Sequence, residues 1–194
     1  MKTDLKNFMK TKAIVIEQPR DVSFREITLT PKRDDTVVAL TRMNAISAGT
    51  DMKTWDGMQH GEKCWYPLVP GYENVGTILE AGSYAPGLGK GTRVMINECR
   101  QYLDCCAAWG GGTHLVHKDA ANANGAGDPF EKIPDNVTDE QAVLAYLACV
   151  ALKGVEQLAL RDGECVAVFG AGIAGTSAIQ FIKIKNPKVR VVCI

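Results

Sequence analysis

The hexapeptide Gly170-Ala171-Gly172-Ile173-Ala174-Gly175 constrains this sequence more than any other stretch. Residues 165–169, CVAVF, form a short apolar run before it. An amphipathic segment follows to about Lys185, and a second apolar run occupies residues 189–194. This order predicts strand, glycine turn, helix, strand, the opening of a parallel dinucleotide-binding sheet. Gly170 allows the tight turn, Gly172 lets the backbone approach a pyrophosphate, and Gly175 lets the helix pack closely on the strand. The helix N-terminus offers free N–H groups and the positive end of its dipole to phosphate. A Gly-x-Gly-x-x-Gly alone is a weak signal, because glycine turns also arise for steric reasons. Here the flanking strand and helix are both present. NAD or NADP is the expected cofactor, held by Gly170, Gly172, Ile173, Ala174 and Gly175.

The acidic residue that would bind a ribose hydroxyl stands about 20 residues beyond such glycines. No Asp or Glu follows Glu164, so this residue is expected at or just beyond Ile194. A complete sheet of this kind has about six strands, more than residues 165–194 supply. The sequence is accordingly expected to be part of a longer chain. By itself it is expected to bind neither cofactor measurably and to be poorly soluble, since unpaired strand edges invite association.

Composition narrows the class. The 22 basic residues balance the 22 acidic ones among 194, so no overall field points to nucleic acid or an anionic membrane. A hydrophobic content of 46% with 23% charged residues suits a globular chain and argues against disorder. The longest apolar stretch, 142–152, is too short for a bilayer span, and residues 1–12 lack the apolar centre of a secretory signal. Seven irregularly spaced cysteines fit reduced thiols better than a disulfide framework. A cytoplasmic protein with a small-molecule substrate, no nucleic-acid partner and no membrane span is expected.

Residues 12–17, 22–27, 36–43, 74–81, 92–97 and 113–117 read as strands, separated by turn signals at Pro19, Gly49, 67–71 and 110–112. Residues 45–56 include a helical turn. The texture changes at Pro134. Thr138 and Gln141 have capping-box spacing, which predicts one long helix running to about Leu160. The expected fold class is therefore α/β plus β: a β-rich unit followed by the start of a parallel nucleotide unit.

Four local motifs stand in order ahead of the glycine turn: Ala48-Gly49-Thr50-Asp51, the stretch VPGYENVG at 69–76, GKGTRVMI at 89–96, and Gly111-Gly112-Thr113-His114. They resemble the Cys-Gly-Thr-Asp, Pro-Gly-His-Glu-x-x-Gly, Gly-Asp-Arg-Val and Gly-Gly-Phe-Ala-Glu motifs of the medium-chain dehydrogenase/reductase superfamily. The resemblance covers about residues 12–194. It implies a GroES-like catalytic domain over 12–140, the start of an NAD(P)-binding Rossmann domain over 141–194, and a homodimer of the full-length protein. Ser47-x-Gly49-Thr50 and YPLVPGYENVG at 66–76 are most similar to the bacteriochlorophyllide a dehydrogenase-like group. Its named member oxidises a hydroxyethyl side chain to an acetyl group with a nicotinamide cofactor. Asp51 departs from that group, which tends to have Glu there.

Zinc members of the superfamily hold the metal with a Cys, a His and a third Cys or acidic ligand. The matching positions here are Ala48, Tyr72 and Tyr146. Alanine has no donor atom and phenol is an uncommon zinc ligand, so no zinc is expected. Cys99, Cys105 and Cys106, spaced C-x5-C-C, lack the repeated C-x2-C of a structural zinc lobe and read as small buried or loop thiols. His60 reads as a solvated loop residue, and His114 and His117 as pointing to opposite faces of a strand. Cys149 is expected in the core.

Without a metal, alcohol oxidation needs a side-chain donor for the developing oxyanion or a base for the proton. The resemblance puts Thr50 at a proton-relay position and Tyr72 beside the reacting centre. Thr50, Tyr72 and Glu73 are the expected catalytic group, with Glu73 behind the other two, Tyr146 on the pocket wall and Asp51 organising the loop. Against this, a threonine after glycine often only completes a turn, and a tyrosine can simply fill a vacated space. Trp55, Trp65 and Trp109 either flank a flat substrate or pack. The expected function is NAD(P)-dependent, zinc-independent interconversion of a secondary alcohol and a ketone. The alternatives are a quinone or enone reductase, and a non-catalytic nucleotide-binding protein.

Overall fold

The structure is a computed structural model and describes residues 8–58, 64–81, 88–96, 102–119 and 130–194. Its contacts divide the chain into a first unit, Met1–Val143, and a second, Leu144–Ile194.

In the first unit, β1 (Lys10–Gln18) buries Thr11, Ala13 and Val15 and exposes Lys10, Lys12 and Ile14. That alternation marks a strand with one wet face. It pairs antiparallel with β2 (Asp21–Thr28). β3 (Thr36–Ala45) lies between two neighbours and opens on four consecutive buried residues, 36–39. Then come α1 (Thr50–Trp55), β4 (Leu68–Val69), β5 (Glu73–Ala81), β6 (Arg93–Ile96), β7 (Cys106–Ala107), β8 (Leu115–Asp119) and β9 (Glu131–Lys132). The strands form two sheets, ordered β2-β1-β4-β7 and β8-β3-β5-β6-β9. β1 joins them, because the Ile14 N–H donates to the Gly112 carbonyl and the His114 N–H to the Lys12 carbonyl. Val37, Ile78, Val94, Ile96 and Val116 are buried in the core of the five-stranded sheet, each contributing about 1.5–3 kcal/mol by burial.

The capping box at Thr138 is present. The Gln141 N–H donates to Thr138 Oγ1 at 3.3 Å, and the Thr138 N–H to Gln141 Oε1 at 3.0 Å. It starts α2 (Asp139–Val143), whose Ala142 and Val143 pack with Val75 and Ile133. Instead of one long helix there are two, since α3 (Ala145–Glu156) begins anew after Leu144. Leu144, with φ −88° and ψ −7°, stands as the N-cap of α3, and its side chain is exposed where Ala142 and Val143 are buried.

The second unit continues with β10 (Cys165–Val168), α4 (Ile173–Lys185) and β11 (Arg190–Cys193). β10 and β11 are parallel, with Cys165 opposite Arg190, so α4 is the crossover of a βαβ unit. Val155, Ile182 and Val189 form its core. Cys149 is exposed, not buried: it lies six residues before Val155, the buried residue of α3, and so about 120° round the helix from it. His117 is fully buried and His114 exposed, facing apart as their spacing suggests. Residues 67–71, expected as a rigid turn, contribute β4, in which Leu68 pairs with Ile16 and Cys106. A strand of two residues is too short to show alternation, and β7 and β9 escape the sequence pattern for the same reason. Among the described residues, no helix is long and apolar enough to cross a membrane.

Asp139 ties α2 to the two strands that flank β5 in the five-stranded sheet. It takes Arg42 at 2.6 Å from β3 and Arg93 at 2.6 Å from β6. The Arg42 and Arg93 guanidinium groups hold its carboxyl below the usual carboxylate range. Arg42 is half exposed, so water screens its share of the stabilisation, and Arg93 is better buried. Asp139→Ala is expected to lower unfolding stability by roughly 1–3 kcal/mol at neutral pH, measured by urea denaturation. Because the folded pKa is depressed, the contribution is full above the unfolded carboxylate value and fades as pH falls through the folded one. Wild type and variant should therefore converge in acid.

Candidate functional site

The glycine turn joins β10 to α4. β10 ends at Val168, the Gly170 N–H donates to the Ile194 carbonyl at 2.8 Å, and Gly170 turns with φ +93°. A Cβ on Gly175 would stand 1.9 Å from the Gly170 carbonyl oxygen, so the turn can close only over a hydrogen at that position. Gly172 differs. Its φ of −72° and ψ of −174° are open to any residue, and no atom lies within 4 Å of where its Cβ would be. The protein itself does not require glycine there. Gly172 is the N-cap of α4 and has no side-chain cap, which leaves the first-turn N–H groups of Ile173, Ala174 and Gly175 for another acceptor. Open space against free donors at a positive helix end fits a pyrophosphate.

In the first unit, the polypeptide leaves β3, turns through Ser47, Ala48 and Gly49, and enters α1 at Thr50. Gly71, with φ +99°, delivers Tyr72 and Glu73 to the start of β5. Thr50 and Tyr72 meet on Ser47. The Thr50 N–H donates to Ser47 Oγ at 3.2 Å, and the Tyr72 hydroxyl donates to the same oxygen at 2.9 Å. Tyr72 is 5% exposed, and its ring lies 5.5 Å from that of Trp109, tilted by 58°. Trp109 has φ +68°, a left-handed conformation uncommon for a bulky residue. Glu73 is buried opposite Ala45. Asp51 is also buried; its Oδ2 accepts the Ser47 N–H at 2.8 Å. Burial pushes the Asp51 carboxyl up, against the backbone N–H groups of Ser47 and Gly71 that favour the charged form. The sequence placed Ser47 only within a shared motif and left Trp109 either flanking a flat substrate or packing; the structure adds the Tyr72 hydrogen bond to the one and the Tyr72 ring contact to the other.

At the zinc-type positions, Ala48 has no donor and is exposed, the Tyr72 phenol is engaged by Ser47, and Tyr146 lies on α3 in the second unit. Among the described residues, no three His, Cys, Asp or Glu side chains converge. Cys105 is buried in the core, where desolvation pushes its thiol up to about 12, so it stays protonated. Cys99 and His60 lie outside the described residues. Trp55 and Trp109 pack around Ile16, Leu68 and Cys106, and Trp65 is half exposed.

Residues 34–127 match the alcohol dehydrogenase GroES-like domain. A zinc-type alcohol dehydrogenase-like protein of Haemophilus influenzae is 28% identical over 184 residues, covering 87% of this chain and 52% of that one. D-arabinitol dehydrogenase 1 of Uromyces fabae is also 28% identical over 184 residues, covering 90% and 52%. These matches support the medium-chain dehydrogenase/reductase superfamily. It spans about half the length of the curated relatives it matches. Solved members share the fold. The 2R,3R-butanediol dehydrogenase of Bacillus subtilis superposes with a TM-score of 0.75 at 20% identity, over 94% of this chain and 63% of that one. An alcohol dehydrogenase of Escherichia coli solved with NADH gives 0.74 at 23%, over 94% and 56%. A GroES-like β-rich domain followed by a Rossmann βαβ start is thus the fold of this dehydrogenase-superfamily chain.

The two glycines separate folding from binding. In the full-length protein, Gly172→Ala should leave the thermal midpoint unchanged while weakening NAD(H) or NADP(H) binding by roughly tenfold or more, because its methyl would enter the open space in front of the helix N-terminus. Gly175→Ala should lower the midpoint itself. Differential scanning fluorimetry and a cofactor titration of both variants check the pair.

Proposed function

We propose that this chain forms part of a nicotinamide-dependent oxidoreductase that interconverts a secondary alcohol and a ketone, of the hydroxyethyl/acetyl kind, without zinc. The observation that carries the reading is the buried Tyr72 phenol, held by Ser47 beside Thr50, whose backbone N–H meets the same serine oxygen, at positions that match the ligand motifs of zinc relatives. When bound, NAD or NADP supplies the hydride acceptor or donor. The residues of the chain have the other tasks. Gly170, Gly172, Ile173, Ala174 and Gly175 seat the phosphates. The Tyr72 phenol donates a hydrogen bond to the substrate oxygen as charge develops there, and the Thr50 hydroxyl contacts the same oxygen. Glu73 supports Tyr72 from the adjoining position on the backbone. The substrate is a small molecule.

Zinc independence follows from donor chemistry, since a site of Ala48, Tyr72 and Tyr146 offers none of the nitrogen, sulfur or carboxylate atoms that zinc favours. Protein purified without chelators should carry no stoichiometric zinc by elemental analysis. About one zinc per chain, lost on replacing any of the cysteines, would sink the proposal.

Thr50→Ala and Tyr72→Phe should each lower kcat by about 10²-fold or more if the donor is central, with cofactor affinity nearly unchanged. Steady-state assay of the full-length protein with secondary alcohols, quinones and enones reads this out. Full turnover in both variants would remove them from the reaction. Preference for quinones or enones would make the protein a reductase of those compounds, and tight cofactor binding with no turnover would make it a nucleotide-binding protein.

A further inference from the structure

Ser47 is held at every polar group it owns. The Asp51 carboxylate accepts its N–H at 2.8 Å, the Asp51 N–H donates to its carbonyl at 3.1 Å, and the Thr50 N–H donates to its hydroxyl oxygen at 3.2 Å. These three bonds fasten the start of α1 in the manner of a helix cap. The fourth is not needed for a cap. It comes from Tyr72, 25 residues away, at 2.9 Å.

A serine oxygen that receives both Thr50 and Tyr72 still has its own proton to give. When the Tyr72 O–H turns toward a substrate oxygen, the Ser47 O–H can turn to the phenol oxygen, and neither hydroxyl loses a partner. The backbone clamp on Ser47 keeps its Oγ where that exchange needs it. Ser47 is 9% exposed and Tyr72 5%, so water has little access to replace the bond.

We propose that Ser47 is the positioning residue for Tyr72: it orients the phenol and supplies the hydrogen bond the phenol accepts while its own proton engages the substrate. The inference rests on the proposed donor role of Tyr72, and the test separates the two.

Ser47→Ala, Tyr72→Phe, the double variant and Ser47→Thr are compared in the full-length enzyme with its nicotinamide cofactor and a secondary alcohol. Thermal midpoints are recorded alongside turnover. Ser47→Ala is expected to lower kcat about tenfold with KM little changed, and Ser47→Thr to restore most of it. In the Tyr72→Phe background, Ser47→Ala should cause no further loss, because its partner is already gone. An equal fractional loss in both backgrounds would show that Ser47 only caps α1 and would overturn the inference. So would full turnover in Ser47→Ala where Tyr72→Phe is impaired. Full turnover in Tyr72→Phe would remove the donor role itself and the inference with it. Should Ser47→Ala fail to fold, Ser47→Asn carries the same comparison: it retains a capping side chain but moves its oxygen off the phenol.

Discussion

The carbonyl oxygen of Gly111 accepts two side-chain amides, from Asn74 at 2.8 Å and Asn44 at 3.0 Å. The Thr113 N–H donates to the same oxygen at 2.8 Å, so its acceptor capacity is fully used. Asn44 and Asn74 face each other across β3 and β5, so the acceptor sits over a pair already fixed by the sheet. The backbone completes the clamp, as the Gly111 N–H donates to Gly71 at 2.7 Å and the Gly112 N–H to Pro70 at 2.8 Å. The approach is close enough that a Cβ on Gly111 would stand 2.8 Å from the Gly71 oxygen. Much of the first unit's site hangs from this clamp. Tyr72 follows Gly71 directly and Trp109 lies two residues before Gly111, so fastening one backbone to the other brings the two rings together. It also holds Trp109 in its left-handed conformation, which costs about 1–3 kcal/mol and persists only where the surroundings impose it.

Features carried by local pattern were legible in the sequence. The βαβ start at 165–194 and the Thr138 capping box depend on residues within a few positions of one another, and both are present. Features that depend on distant pairing were not. β4 and β7 have two residues each and exist because each borders the other and β4 also borders β1. The break at Leu144 escaped notice because the apolar stretch runs on across it. At the site, both residues stood in motifs, but Tyr72 alone suggested chemistry, and Ser47 only marked a resemblance. Its importance comes from a bond spanning 25 residues, which no local spacing encodes. The glycines show the same limit. The sequence sets Gly172 and Gly175 in one motif, and only coordinates separate the one excluded by protein atoms from the one facing open space.

A metal and a hydroxyl pair stabilise an alkoxide in different ways. Zinc places a full positive charge at the oxygen and needs no proton movement. Hydroxyls offer smaller dipoles, so their value depends on fixed direction and on exclusion of water, where each hydrogen bond is stronger. The surroundings of Ser47 and Tyr72 have both properties: the two residues are buried, and Ser47 is clamped at its N–H, carbonyl and Oγ. A nearby ionised carboxylate would oppose negative charge on the substrate oxygen. Asp51 is hydrogen-bonded to Ser47 from the same loop, and burial pushes its carboxyl toward the neutral form. That direction suits a hydroxyl-based site. In a zinc site, where the cation dominates the local field, the same carboxylate would instead be held ionised. On the proposed reading, then, the absence of a donor atom at Ala48 and the burial of Asp51 act in one direction: burial makes an ionised carboxylate less favourable beside a developing oxyanion.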